Sequence, residues 1–287
     1  MSKAKVLREM LNSGELIMAP GAYDVWSAKM VEAAGFKAIY MTGYGVSASV
    51  IGKPDIGIMT FSEVNSMAHN MAMATNIPLI ADCDTGFGNA LNVMRCVEEF
   101  ESAGVAAIQL EDQLMPKRCG HMEGKVLIPM EDMVAKIRAA VAARKDPDFV
   151  IIARTDARAV FGFDEAIKRA TAYVEAGADV IFFEAPQSVE EVKTVAATLN
   201  VPLLSNMVEK GKTPLFSTEE LKDMGYNIVI YPVTALYAAT KHVMETLSVL
   251  KETGKISETL PYCCDFPTFN KMINLAELRA LEKSFSE

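Results

Sequence analysis

The sequence predicts an α/β protein of the (β/α)8 TIM-type barrel class, and three observations carry that prediction. A helical pattern closing in a glycine and passing straight into an apolar strand-length run occurs four times: AAGFKAIYM at Gly35, SAGVAAIQL at Gly104, EAGADVIFF at Gly177 and DMGYNIVIY at Gly225. Four further runs, ELIMAP, IPLIADCD, FVIIARTD and VPLLSN, alternate with them. All eight runs are apolar on both faces, as strands of a buried parallel sheet are. A doubly wound sheet is the alternative, but no G-x-G-x-x-G follows the first strand.

In order, the strands are expected at about residues 16–19, 37–41, 78–82, 105–110, 149–153, 179–183, 202–205 and 227–231. Helices are expected between them at 23–34, 61–75, 90–103, 131–144, 164–176, 188–198 and 218–224. From about Thr234 the repeat stops, and a long helix is followed by FNKMINLAELRALEKSF, whose apolar residues recur at helical spacing. The expected organisation is one barrel domain over residues 1–287, with 234–287 as a carboxyl-terminal helical extension.

The 287 residues suffice for such a barrel, and 51% apolar with 23% charged residues is ordinary for a globular enzyme. A net charge of −9 opposes nucleic acid or an anionic membrane as partner, while leaving room for a local basic cluster facing an anionic substrate. The five cysteines form no disulfide framework, and MSKAKVLREML lacks the apolar core of a signal peptide, so a reducing cytoplasm is the expected compartment.

Barrel chemistry sits past the carboxyl ends of the strands. Those positions are Tyr40, Thr42, Gly43 and Tyr44; Asp82 and Asp84; Glu111 and Asp112; Arg154, Thr155 and Asp156; Glu184; Ser205 and Asn206; and Tyr231. Asp82 and Asp84 alternate with Cys83, so an extended chain would aim both carboxylates one way, with Glu111 on the next strand. Clustered carboxylates repel unless a hard cation joins them, and Mg2+ suits such a site, with Asp55 joining through water and Mn2+ as a substitute. Arg154 ends a buried strand and needs an anionic partner, either a substrate carboxylate or Glu184. Cys119 lies between Arg118 and Gly120 in a basic loop with His121 beside it, a setting for acid–base chemistry. His69 and His242 are expected to play no metal-ligand role. These groups together suit a reaction passing through a carbanion beside a carboxylate. The rival from another class is a non-catalytic barrel that binds a small carboxylate.

LEDQ with KRCGH, ADCDTGFGN, ARTDA and YMTGYG, in that combination, resemble the isocitrate lyase and phosphoenolpyruvate mutase superfamily over about residues 16–240. The resemblance implies a Mg2+ enzyme making or breaking C–C or P–C bonds, assembled as a homotetramer (a dimer of dimers) with the eighth helix exchanged between subunits. It implies that Asp82 and Asp84 hold Mg2+, supported through water by Asp55 and Glu111, with no organic cofactor. Cys119 would protonate the departing carbanion, and Lys117, Arg118, Gly120 and His121 would form a loop that closes on substrate. Thr42, Gly43 and Tyr44 would bind a pyruvyl carboxylate, Arg154, Glu184 and Asn206 would complete the pocket, and Tyr40 would face the substrate hydroxyl. The cysteine of KRCGH favours a lyase over phosphonate mutases and hydrolases. Met122 and Tyr44, where related lyases carry Arg and Gly, disfavour a third carboxylate and point to a 2-hydroxy dicarboxylate.

Overall fold

The computed structural model describes residues 1–120 and 122–286, and the chain divides into two units, Met1–Ala235 and Leu236–Glu287. The first is a closed barrel of eight parallel strands in sequence order: β1 (Ile17–Ala22), β2 (Ile39–Met41), β3 (Leu79–Asp82), β4 (Ala107–Glu111), β5 (Val150–Thr155), β6 (Val180–Phe183), β7 (Leu203–Asn206) and β8 (Ile228–Tyr231). Closure comes from β1 against β8, with Ile17 level with Ile228. All eight strands stand where the apolar runs predict them, displaced by a few residues at their ends.

Strand alternation divides the core in two. Inward residues, among them Ala19, Tyr40, Ile80, Ile152, Phe182 and Ile230, fill the barrel, while Met41, Ala81, Ile108, Leu110, Ile151 and Ile181 pack beneath the surrounding helices. The helix Lys3–Asn12, which was not expected, adds Leu7 and Leu11 to the inner cluster. Their i,i+4 spacing puts both on one face, and Ser2 caps the helix by accepting from the Lys5 amide. Gly177 closes its helix at φ 104°, where a side chain would be strained, and the glycines at 35, 104 and 225 do the same.

Two more helices lie on the carboxyl-terminal side of the strands, Gly43–Ile51 after β2 and Ala157–Val160 after β5. The second unit comprises most of the helix Thr234–Thr253 with the helices Phe266–Met272 and Leu275–Ser284. Among the described residues, no helix is long and apolar enough to cross a membrane.

Candidate active site

Asp82 is the last residue of β3, and the chain leaves the extended conformation directly after it, because Asp84 has φ 47°. The two carboxylates therefore converge through a left-handed turn, closed by the Asp84 amide donating to Asp82 Oδ1 (3.0 Å), and not through the strand alternation expected from sequence. Gly43 opens the helix Gly43–Ile51 and donates its amide to Asp82 Oδ2 (3.3 Å), placing the positive end of that helix against the carboxylate. A Cβ at residue 43 would stand 2.6 Å from Asp82 Oδ2, so only glycine permits the approach. Thr42 is buried at the head of this helix without capping it through its hydroxyl, and Tyr44 is half-buried beside it.

Lys117, expected in the loop that closes on substrate, is 2% exposed and drives its ammonium into the acidic cluster, 2.6 Å from Asp55 Oδ1 and 2.7 Å from Asp84 Oδ1. Asp55 thus meets an ammonium directly. Burial favours the neutral amine, but Asp84, Glu111, Asp82 and Asp55 outweigh it and hold the Lys117 pKa well above its ordinary value. One ammonium cannot neutralise four carboxylates. Burial pushes Asp82 and Glu111 above the usual carboxylate range and Asp84 up to about 7. Glu111 Oε1 is buried with no hydrogen-bond partner among the described residues.

This excess of buried negative charge fits a hard divalent cation. Among the described residues no three His, Cys, Asp or Glu side chains surround one metal position. Mg2+ is commonly bound by one or two carboxylates with waters completing its shell, which the Asp82–Asp84 turn can provide.

Arg154, on the neighbouring strand β5 and level with Glu111, continues the rim beyond the acidic cluster. Its guanidinium grips Asp156 in a fork, Nε to Oδ2 at 2.9 Å and Nη2 to Oδ1 at 3.0 Å. It stands 3.5 Å from Glu111 Oε2 and 3.9 Å from Glu184 Oε1, with Cζ 4.9 Å from the Phe182 ring centroid. Asn206 donates to Glu184 Oε2 at 3.4 Å. Burial would push the Asp156 pKa up, but Arg154 and Lys125 overcome it and hold the carboxyl far below the usual range. Neither Asp156 nor Phe182 was expected as a partner of Arg154. The available signal was the i,i+2 spacing of Arg154 and Asp156 in ARTDA. Tyr40 donates its hydroxyl to Gln109 Oε1 (2.6 Å), and burial, then Asp82, raises its pKa well above the phenol range. It is a neutral donor, unsuited to removing a substrate proton.

The loop after β4 has a zipped base and a seated tip. Leu114 donates to Val126 O (2.8 Å) and Ile128 to Asp112 O (3.0 Å), while the Gln113 side chain clasps the Arg118 backbone at both N–H and C=O. Arg118 itself is exposed and donates to Glu123 O (2.8 Å), so its guanidinium serves the loop and does not enter the pocket. The Cys119 amide donates to Asp55 O (3.3 Å), and Cys119 is half-buried. A Cβ on Gly120 would overlap Arg154 Nη2 and Glu184 Oε1, so this backbone sits directly on the Arg154 pair. His121 lies outside the described residues. Asp112, on the rim in sequence, proves to be a scaffold: Thr155 (2.8 Å), Tyr173 (2.8 Å), Arg169 (3.3 Å) and the Asp156 amide (2.9 Å) all donate to it.

The phosphoenolpyruvate phosphomutase family model matches residues 7–251. The chain is 48% identical over 286 residues to 2,3-dimethylmalate lyase of Eubacterium barkeri, covering 100% of this chain and 99% of that protein. It is 47% identical over 255 residues to 2-methylisocitrate lyase of Aeropyrum pernix, covering 89% and 82%. Among solved structures, oxaloacetate acetylhydrolase bound to 3,3-difluorooxalacetate superposes with TM-score 0.94 at 38% identity over 99% of this chain and 97% of that one. A 2,3-dimethylmalate lyase described as a PEP mutase/isocitrate lyase superfamily member gives 0.92 at 40%, over 99% and 95%. Phosphonopyruvate hydrolase in complex with oxalate and Mg2+ gives 0.90 at 35%, over 100% of both chains. The chain belongs to the phosphoenolpyruvate mutase and isocitrate lyase superfamily.

Proposed function

We propose that this protein is a Mg2+-dependent carbon–carbon lyase that cleaves 2,3-dimethylmalate, a 2-hydroxy dicarboxylate, to pyruvate and propionate. The observation that carries the reading is the seat of the Cys119 loop, which reaches the acidic cluster through Lys117 and the Arg154 pair through Gly120. A thiol at that tip can meet a carbanion forming between the two.

Asp82 and Asp84 would hold Mg2+, which when bound supplies positive charge for oxygen charge developing on the pyruvyl fragment. Arg154 and the amides opening the helix Gly43–Ile51 orient the substrate carboxylates. Glu111 Oε1, a buried acceptor with no hydrogen-bond partner among the described residues, would take the hydroxyl proton. As that proton leaves, the carbonyl of pyruvate forms and the bond between the two substituted carbons breaks. The electron pair left on the second fragment takes the Cys119 Sγ proton, giving propionate. The seated loop excludes water meanwhile.

The full-length similarity to 2,3-dimethylmalate lyase supports this substrate, as do Tyr44 and Met122, a ring and an uncharged side chain where a third carboxylate would want space and a cation. The 47% similarity to a 2-methylisocitrate lyase keeps cleavage to pyruvate and succinate as the second reading. Pyruvate release from the two substrates in parallel separates them: kcat/KM is expected to favour 2,3-dimethylmalate, and preference for the tricarboxylate overturns the choice.

The cation site has its own test. Binding displaces the proton from Asp84, whose pKa of about 7 makes pH 6 mostly protonated and pH 8 mostly ionised. Mg2+ affinity measured by calorimetry should therefore rise about tenfold between pH 6 and pH 8. Activity should vanish in chelator, and full activity there refutes the metal assignment. Apolar residues at Val243, Leu247 and Leu250 in the helix Thr234–Thr253 support helix exchange within a homotetramer, which sedimentation would register.

A further inference from the structure

Lys125 has no role in the chemistry above, yet its side chain is only 2% exposed. Its ammonium donates to Asp156 Oδ1 at 2.8 Å and to the carbonyl of Gly120. Asp156 Oδ1 is the oxygen that Arg154 Nη2 also holds, so one carboxylate orients both cations. The loop's base is fixed without Lys125, through the Leu114–Val126 and Asp112–Ile128 bonds and the Gln113 clasp. At the tip, the Cys119 amide to Asp55 O bond is long at 3.3 Å, and the Gly120 carbonyl is held by a charged donor inside the protein. Hydrogen bonds to charged groups are the stronger kind. Gly120, with no side chain, can then press on Arg154 and Glu184.

We propose that Lys125 is a positioning residue that latches the Cys119–Gly120 tip onto the Arg154–Asp156 pair. The proposal rests on the lyase reading for its purpose, since the thiol it positions is the proton donor. Lifting the tip breaks the bond to the Gly120 carbonyl and the long Cys119–Asp55 backbone bond, while Lys125 can stay on Asp156. The latch can therefore open for substrate entry without stranding a buried charge.

The test compares Lys125→Met, Lys125→Gln and Lys125→Arg with the wild type by two readouts. The first is the rate of Cys119 alkylation by iodoacetamide, followed by peptide mass mapping so that Cys263 and Cys264 do not contribute. The second is kcat and KM for pyruvate release from 2,3-dimethylmalate. Losing a charged hydrogen bond corresponds to about tenfold in each rate. Lys125→Met should alkylate about tenfold faster and turn over about tenfold slower at little-changed KM, with Lys125→Arg recovering most of both. Where the Met variant fails to fold, the same ordering between Gln and Arg decides. Unchanged alkylation in a folded Met or Gln variant overturns the proposal, as does a raised KM at constant kcat, which would make Lys125 a substrate ligand. Alkylation needs no substrate, so failure of the wild type to release pyruvate sinks the lyase reading and leaves the latch test standing.

Discussion

Cys119→Ala is expected to lower kcat for pyruvate release by about 10²–10⁴-fold, the range general acid catalysis supplies, with KM little changed. The thiol donates its proton only as the carbanion forms, so its removal affects the transition state and spares the bound substrate. Mg2+ affinity and thermal midpoint should stay at wild-type values, because the side chain is half-buried and the tip is held by backbone groups of Cys119 and Gly120. Cys119→Ser should fare no better than alanine, since a hydroxyl of far higher pKa gives up its proton poorly. In D2O the wild type should place deuterium on the carbon of propionate that carried the broken bond. Turnover near the wild-type rate in Cys119→Ala would show that some other group, or water, protonates the fragment.

The barrel was legible because a buried parallel strand leaves a coarse mark, an apolar run of fixed length after a helix-closing glycine, that survives without tertiary knowledge. The site positions were legible for the same reason, as polar residues where those runs end. Three helices were not: Lys3–Asn12, Gly43–Ile51 and the single turn Ala157–Val160. Gly43–Ile51 opens with glycines and carries Val46, Val50 and Ile51, so its sequence has little local preference for a helix, and docking above β2 and β3 decides it. Lys3–Asn12 did carry a signal, Leu7 and Leu11 on one face, in a segment read only for export. The charge partners were the least legible part. Lys117 and Asp55 are 62 residues apart, and Lys125 and Asp156 are 31 apart, and spacing in the chain does not say which carboxylate an ammonium finds. The Asp82–Asp84 convergence was anticipated for a reason the backbone contradicts, since the left-handed Asp84 replaces the expected extended segment.

Arg154→Met should cost about 3–5 kcal/mol of stability, the penalty for removing one partner of a buried ion pair, and lower the thermal midpoint by about 10 °C. Glu111 and Glu184 are each 1% exposed and Asp156 is fully buried, so none regains water when the guanidinium goes. The pH dependence identifies the cause. In the wild type the Asp156 pKa is depressed, so its stabilisation is present above the unfolded carboxylate range and is lost as pH falls through the folded value. In the variant Glu111, already raised by burial, loses the cation that most opposes that rise, and its folded pKa moves further above the unfolded one. Such a group destabilises when ionised, and the penalty is relieved as pH falls through its folded pKa. The gap between variant and wild type should therefore be larger at pH 8 than at pH 5. Adding Glu111→Gln removes a buried charge that Arg154 no longer opposes, so the double variant should be more stable than the sum of the single changes predicts. Arg154→Lys keeps the charge without the fork or the stacking on Phe182, and should fall between. A gap of under about 2 °C that is the same at both pH values would mean that water already reaches these carboxylates, and Arg154 would then be a substrate ligand without a structural share.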